Sequence, residues 1–290
     1  MELRNVPMPG EASNLRFVPK NAEPTAPRES SAPASSHPLR PDIPGDNDYV
    51  FVAESDVMRE VRRQVRQIAD FDIPVLLLGE SGTGKGVVAQ MIHALSCRKR
   101  STFMKVNCAA LPTELLESEL FGHEAGAFTG AMRAKPGKFQ ACDTGTILLD
   151  EVGEIPFGLQ AKLLHVLQDG EFSRLGSTVS TKVDVRIIAA SNCELAEMIA
   201  NARFREDLYY RLNTYTIVLP PLRERWEDIP ELMVYFMALW AKKFKRPQLP
   251  YSQKSLDTCL EYSWPGNIRE LESFVRRYLV HEDETRALSQ

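Results

Sequence analysis

Four short stretches carry residue types at spacings that can do chemistry. The first is GESGTGKG, which follows the apolar run Val75 to Leu78 and opens a stretch of helical period, GVVAQMIHALS. Glycines let backbone N–H groups turn inward around phosphates, a helix N-terminus adds its positive dipole end, and Lys85 can reach the outer phosphates. The candidate nucleotide-binding residues are therefore Gly79, Glu80, Ser81, Gly82, Thr83, Gly84, Lys85 and Gly86. The bland alternative is a glycine-rich turn with a surface lysine. The hydroxyl residue that usually follows such a lysine is replaced by Gly86, so a Mg2+ shell must lean on other groups.

The second stretch, TILLDE, is an apolar strand that ends in Asp150 and Glu151. Acids at the carboxyl end of a buried strand sit where α/β sheets bind ligands. Asp150 is placed to hold magnesium, and Glu151 to orient or deprotonate a water; a strand-end cap is the plainer reading. The third, RIIAASN, brings Asn192 to another strand end, where its amide could face a γ-phosphate or simply form a turn. The fourth is GAFTGA: Gly126, Ala127, Phe128, Thr129, Gly130 and Ala131. One aromatic among small residues predicts a flexible loop whose exposed Phe128 gains about 2 kcal/mol when buried on a partner. Thr129 can add a hydrogen bond there. On composition alone, Phe128 could instead tuck into its own core.

The elements that must position these residues follow from periodicity. Short apolar runs at IPVLLLG, TFMKVN, GTILLD, VRIIAAS and TYTIVLP alternate with helical stretches, which predicts an α/β fold with a mainly parallel five-stranded sheet between helices. After Pro220 and Pro221 the strands give way to three helical stretches, a small helical domain. The expected boundaries are a disordered tail over 1–48, an α/β part over 49–222 and a helical part over 223–290. The tail holds nine of the 19 prolines and no apolar period that could form a core. The segment EFSRLGSTVSTKVDVR reads as a β-hairpin.

Of the 290 residues, 43% are hydrophobic, enough for a core without disulfides, and the five cysteines lie scattered without metal-ligand spacing. A cytoplasmic setting is expected, because no signal region is visible and no apolar run approaches the ~20 residues that cross a bilayer. The net charge of -4 offers no broad attraction to nucleic acid, so contact with DNA is expected to be local or indirect.

From about residue 50 to 280 the chain resembles the AAA+ ATPase domain of bacterial enhancer-binding proteins, the activators of sigma-54 RNA polymerase. GESGTGKG, NCAALP, ESELFGHEAGAFTGA, GTILLDEVGEIP, FREDLYYRLN, LPPLRER and WPGNIREL carry the resemblance. GAFTGA is the most specific of the features, since general AAA+ proteins lack it. The resemblance implies an AAA+ P-loop NTPase fold with a helical lid. It also implies a ring-shaped homo-oligomer, usually a hexamer, that hydrolyses ATP with Mg2+ between neighbours and remodels the closed promoter complex into an open one.

Residue by residue, the resemblance makes Lys85 the phosphate-binding lysine, Asp150 the magnesium ligand, Glu151 the water-activating acid and Asn192 the γ-phosphate sensor. Asn107 becomes the switch that holds the catalytic glutamate. Arg205 and Arg211 are the arginines offered by a neighbouring subunit, although a salt-bridge pattern with Glu206 and Asp207 explains them as well. Arg269 is the second sensor, on the lid. The residues Gly126 to Ala131 become the contact with the sigma-54 holoenzyme, and the 171–186 hairpin works beside them.

Two departures stand out. Gly86 replaces an acidic residue common in relatives, which lowers helix propensity there by about 1 kcal/mol relative to Ala. Neither an N-terminal receiver domain nor a C-terminal helix-turn-helix of the Fis type is recognised, so promoter DNA is expected to be reached indirectly or through a partner. The alternative reading is a regulatory subunit that binds nucleotide and co-assembles with a full-length relative without activating by itself. A general AAA+ chaperone is a third, which GAFTGA disfavours.

Overall fold

The computed structural model describes residues 51–283 and Ala287. The expected disordered tail, 1–48, lies outside the described residues. In chain order, helix α1 (Asp56–Ile68) leads to strand β1 (Val75–Leu78) and helix α2 (Lys85–Leu95). Next come β2 (Phe103–Asn107), α3 (Thr113–Phe121), the short strands β3 (Gly122–His123) and β4 (Lys135–Pro136), α4 (Lys138–Ala141) and β5 (Thr146–Asp150). Then follow α5 (Phe157–Asp169), β6 (Glu171–Ser173), β7 (Ser180–Lys182), β8 (Arg186–Ser191), α6 (Leu195–Ala200), α7 (Glu206–Leu212) and β9 (Thr216–Val218). Beyond them lie α8 (Ile229–Phe244), α9 (Gln253–Glu261) and α10 (Asn267–His281).

Five strands form one parallel sheet in the order β2-β5-β8-β1-β9. Side chains alternate across it, as a pleated strand requires. Leu76, Ile147, Leu149 and Ile187 join a core with α3, α5 and α7, whereas Val75, Leu77, Leu148 and Ile188 join a second core with α1 and α2. Burial on both faces explains why these strands read as continuous apolar runs. The amphipathic face of α1, Met58, Val61, Val65 and Ile68, covers the second core, and Ser55 caps the helix by accepting from the Met58 N–H.

Strand register decides which residues meet. Asn107 lies opposite Asp150, Asp150 opposite Ala190, and Ser191 opposite Leu78. The carboxyl ends of four strands therefore deliver Asn107, Asp150, Asn192 and the Gly79 loop to one edge of the sheet.

A third core, built from Leu232, Met233, Phe236, Leu271, Phe274 and Val275, holds the helical lid together. Asn267 fixes the lid to the glycine loop. Its Oδ1 accepts from the Leu222 N–H at 2.7 Å, its Nδ2 donates to Ser81 O at 3.0 Å and to Glu80 Oε2 at 3.1 Å, and the next N–H, of Ile268, donates to Gly82 O. Among the described residues no helix is long and apolar enough to cross a membrane.

Candidate functional site

The glycine loop needs its glycines for backbone reasons. Gly82 and Gly84 adopt φ of 81° and 101°, in the left-handed region, and a Cβ on Gly82 would come 2.4 Å from the Gly266 carbonyl of the lid. Gly84 ends the loop where α2 begins, so Lys85 is the first residue of that helix. Lys85 folds back into the loop and donates to Gly79 O at 2.7 Å and Glu80 O at 3.0 Å. Burial lowers its pKa from the usual lysine range, opposed by the negative charges of Asp150 and Glu151.

A cavity of about 310 Å³ lies over this loop. Ser81 through Gly86 line it, together with Asp150, Glu151, Asn192 and Arg269. Apolar side chains, among them Val52, Phe236 and Ile268, also line it. Glu151 stands at φ 58°, ψ 49°, an uncommon conformation for a residue with a side chain and one that recurs at functional turns. The negative charge gathered here registers on a neighbour: burial, then Asp150 and Glu151, pushes the Cys108 thiol up to about 12. Arg269 on α10 donates to Ser81 Oγ at 2.9 Å, and Asn192 Oδ1 accepts from the Cys193 thiol at 3.3 Å.

Gly79 and Glu80 face a different hollow, beside Pro220, Pro221 and Arg223. The Glu80 carboxylate takes a two-pronged bond from Arg223, at 2.9 and 2.6 Å, which together with Asn267 holds its pKa down at about 2. Asn107 does not line the Lys85 cavity; its Oδ1 accepts from the Ala109 N–H at 2.9 Å.

Arg205 and Arg211 also stand apart from that cavity. Arg205 caps α7 and forks onto Asp207 at 3.0 and 2.7 Å, while the expected pairing with Glu206 does not form. Glu206 instead accepts from the Tyr210 hydroxyl, because an arginine at the helix cap lies beside the residue two positions on. Arg205 is positioned by a residue that motif reading passes over, Gln160 on α5. Its buried amide accepts from the Arg205 N–H at 2.8 Å and donates to Ile155 O and Arg203 O, each at 3.0 Å. Its place among Leu159, Leu163 and Leu164 on the apolar face of α5 was the signal available in the sequence.

Two further residues were missed. Arg225, fully buried, donates to Thr83 O at 2.7 Å, and burial lowers its pKa to about 10, with Asp228 opposing. Lys105 on β2 lines the cavity and pairs with Asp150 Oδ2 at 2.8 Å. Lys105 and Asn107 alternate onto one strand face in FMKVN, which marks the lysine once Asn107 is suspected.

The loop Gly126 to Ala131 follows β3 after Glu124 and Ala125. The Gly126 N–H donates to Ala131 O at 2.8 Å, and the Ala131 N–H to Phe128 O at 3.0 Å, so the loop closes around its aromatic residue. Phe128 is 36% exposed, and its ring stands edge-on to His123 at 5.0 Å between centroids. It is thus exposed, as its sequence context predicts, with a buried histidine beside it. That ring is held by Ser118 of α3, whose Oγ lies 2.8 Å from His123 Nδ1.

The expected hairpin forms from β6 and β7, with Phe172 opposite Thr181. Its tip is joined to the loop: Leu175 and Gly122 to Glu124 exchange backbone hydrogen bonds, and Arg174 pairs with Glu124 at 3.0 Å.

Comparison with known proteins agrees with this arrangement. A family model described as the Sigma-54 interaction domain matches residues 51–218, and one described as the AAA+ ATPase lid domain matches 223–289. The Nif-specific regulatory protein of Klebsiella pneumoniae is 51% identical over 230 residues, which cover 79% of this chain and 44% of that protein. Its counterpart in Azotobacter vinelandii is 46% identical over 248 residues, covering 85% and 47%. The crystal structure of NtrX from Brucella abortus in complex with ATP superposes with a TM-score of 0.75 at 36% identity, covering 79% of this chain and 50% of that one. The chain spans about half the length of the curated relatives it matches. With one family model matching residues 51–218 and the other 223–289, the chain belongs to the sigma-54 interaction domain family of AAA+ ATPases.

Proposed function

We propose that the chain hydrolyses ATP within a ring of its own copies, a hexamer, and uses that work to remodel sigma-54 RNA polymerase from a closed to an open promoter complex. The α/β part, 49–222, would carry the chemistry and the lid, 223–290, would close over it. The observation that carries the reading is the cavity where Lys85, Asp150, Glu151, Asn192 and Arg269 meet. Phosphoryl transfer needs chiefly positioned charge and an oriented nucleophile. The loop N–H groups and Lys85 hold the phosphates, Glu151 orients and deprotonates the attacking water, and Asn192 fixes that water against the γ-phosphate.

Mg2+ fits the site on its donor chemistry. Magnesium binds proteins through one or two carboxylates and completes its shell with phosphate oxygens and water. Among the described residues no cluster of three or more His, Cys, Asp or Glu side chains stands ready for a metal, and Asp150 already faces a cation, the Lys105 ammonium. Asp150 would hold the ion, whose charge stabilises the phosphate oxygens. Gly86 supplies no ligand.

Arg205 and Arg211 lie outside the cavity of their own chain, which suits donation to a neighbour's site. Asn107, opposite Asp150 in the sheet, leads within six residues into α3, the helix that carries His123 and the GAFTGA loop. A change at the γ-phosphate can thus reach Phe128 through one rigid helix, and Phe128 and Thr129 deliver it to the holoenzyme.

The test is Phe128→Ala. ATP turnover should stay within about twofold of wild type, because the ring touches no part of the cavity, while open-complex formation is lost. Retained opening sinks the loop assignment. A regulatory subunit that does not hydrolyse ATP is the competing reading, and absence of ATPase activity in the isolated wild type would select it.

A further inference from the structure

Lys105 has no place in the reading so far, yet it reaches the same cavity as Lys85. Its ammonium lies 2.8 Å from Asp150 Oδ2, with the lysine side chain 51% exposed and the aspartate 18%. Gly86 also lies beside that ammonium: a Cβ there would stand 3.6 Å from Lys105 Nζ. Glycine at 86 therefore presents no side chain of its own to the ammonium, and Asp150 is its ion-pair partner among the described residues. Three carboxylates line the cavity, Asp150, Glu151 and Glu272, together with Lys85, Lys105, Arg225 and Arg269.

We propose that Lys105 is a positioning residue that competes with magnesium for Asp150, so that this chain binds ATP with a reduced dependence on the divalent ion. The inference rests on the nucleotide reading above. Two cations cannot share one short carboxylate at full strength. A metal on Asp150 repels the Lys105 ammonium and weakens its pair, which raises the Mg2+ concentration required. Without metal, the same ammonium remains beside the phosphates and offsets part of their charge. An ion pair this exposed shifts an equilibrium by about three- to fivefold.

The experiment measures the affinity of a fluorescent, non-hydrolysable ATP analogue in EDTA and in saturating MgCl2, for wild type, Lys105→Met and Gly86→Glu, with thermal melting to verify folding. The readout is the ratio of the two dissociation constants and the Mg2+ midpoint. In Lys105→Met, metal-free binding weakens, the midpoint falls, and the ratio rises about threefold or more. Gly86→Glu offers Lys105 a different carboxylate, frees Asp150, and raises the ratio while the lysine is still present. A ratio unchanged in both variants overturns the inference; if Lys105→Met fails to fold, Gly86→Glu decides alone. Wild type that binds the analogue in neither buffer overturns the nucleotide reading, and this inference with it.

Discussion

At the scale of single residues, one carboxylate adds a pH-dependent part to the contact between glycine loop and lid. Glu80 accepts from Arg223 and Asn267, and both act on its charged form, so its pKa lies at about 2 against an ordinary 4.5. A folded pKa below the unfolded one means stability that is present above the unfolded value and lost as pH falls toward the folded one. The melting temperature of Glu80→Gln should therefore lie below that of wild type at pH 5 to 7. Thermal melts across pH should show the gap closing between about pH 4.5 and 2, and a gap constant over that window refutes the pairing. The side chain is 43% exposed, so the effect is modest, on the order of 1 kcal/mol or less. Residues whose place is set by chain-local geometry were legible: a lysine behind glycines, acids at a strand end. Lys105, Gln160 and Arg225 were not, since each acts across the fold on a partner at least 45 positions away.

Among the elements, the apolar runs and helical periods mark the parallel sheet and its covering helices, because burial on both faces leaves a continuous signal. Strands β3 and β4 left none: each has two residues, and what defines them is a pairing between Gly122 and Pro136 set by tertiary contact. The hairpin was legible, and the family resemblance set it beside the GAFTGA loop, but the contact that docks it was not. That docking turns on Gly176, whose φ is 76° and where a Cβ would come 2.9 Å from Ala127 Cβ. Gly176→Ala should cost about 1–2 kcal/mol through the left-handed backbone alone and push the hairpin tip from the loop. Gly158, inside α5 with nothing within 4 Å of a Cβ, is the contrast. Alanine there should stabilise by about 0.5–1 kcal/mol, since helical glycine carries excess unfolded freedom. Urea melts of the two variants should move in opposite directions. On the proposed function, promoter opening should fall in Gly176→Ala while ATP turnover persists, and equal opening in both would dissociate the hairpin from the loop's work.

For the whole molecule, the open question is where the positive charge on the leaving phosphate comes from. Lys85, Lys105 and Arg269 line the cavity, but Arg205 and Arg211 do not, and Gln160 pins the Arg205 backbone in place on α5. If neighbours in a ring complete each other's sites, two inactive variants should repair one another. Lys85→Ala cannot hold the phosphates but still presents Arg205; Arg205→Ala holds ATP but presents nothing to its neighbour. Mixed in equal amounts, half the sites retain Lys85, and half of those meet a neighbour that retains Arg205. Turnover should therefore recover to about a quarter of wild type, whereas each variant alone falls by about 10³-fold. Recovery should grow with total protein concentration as rings assemble, and should vanish when Arg205→Ala is mixed with the double variant lacking both side chains. A mixture no more active than its components would place the arginine in its own chain's site, and the ring would then have to be argued from something other than catalysis.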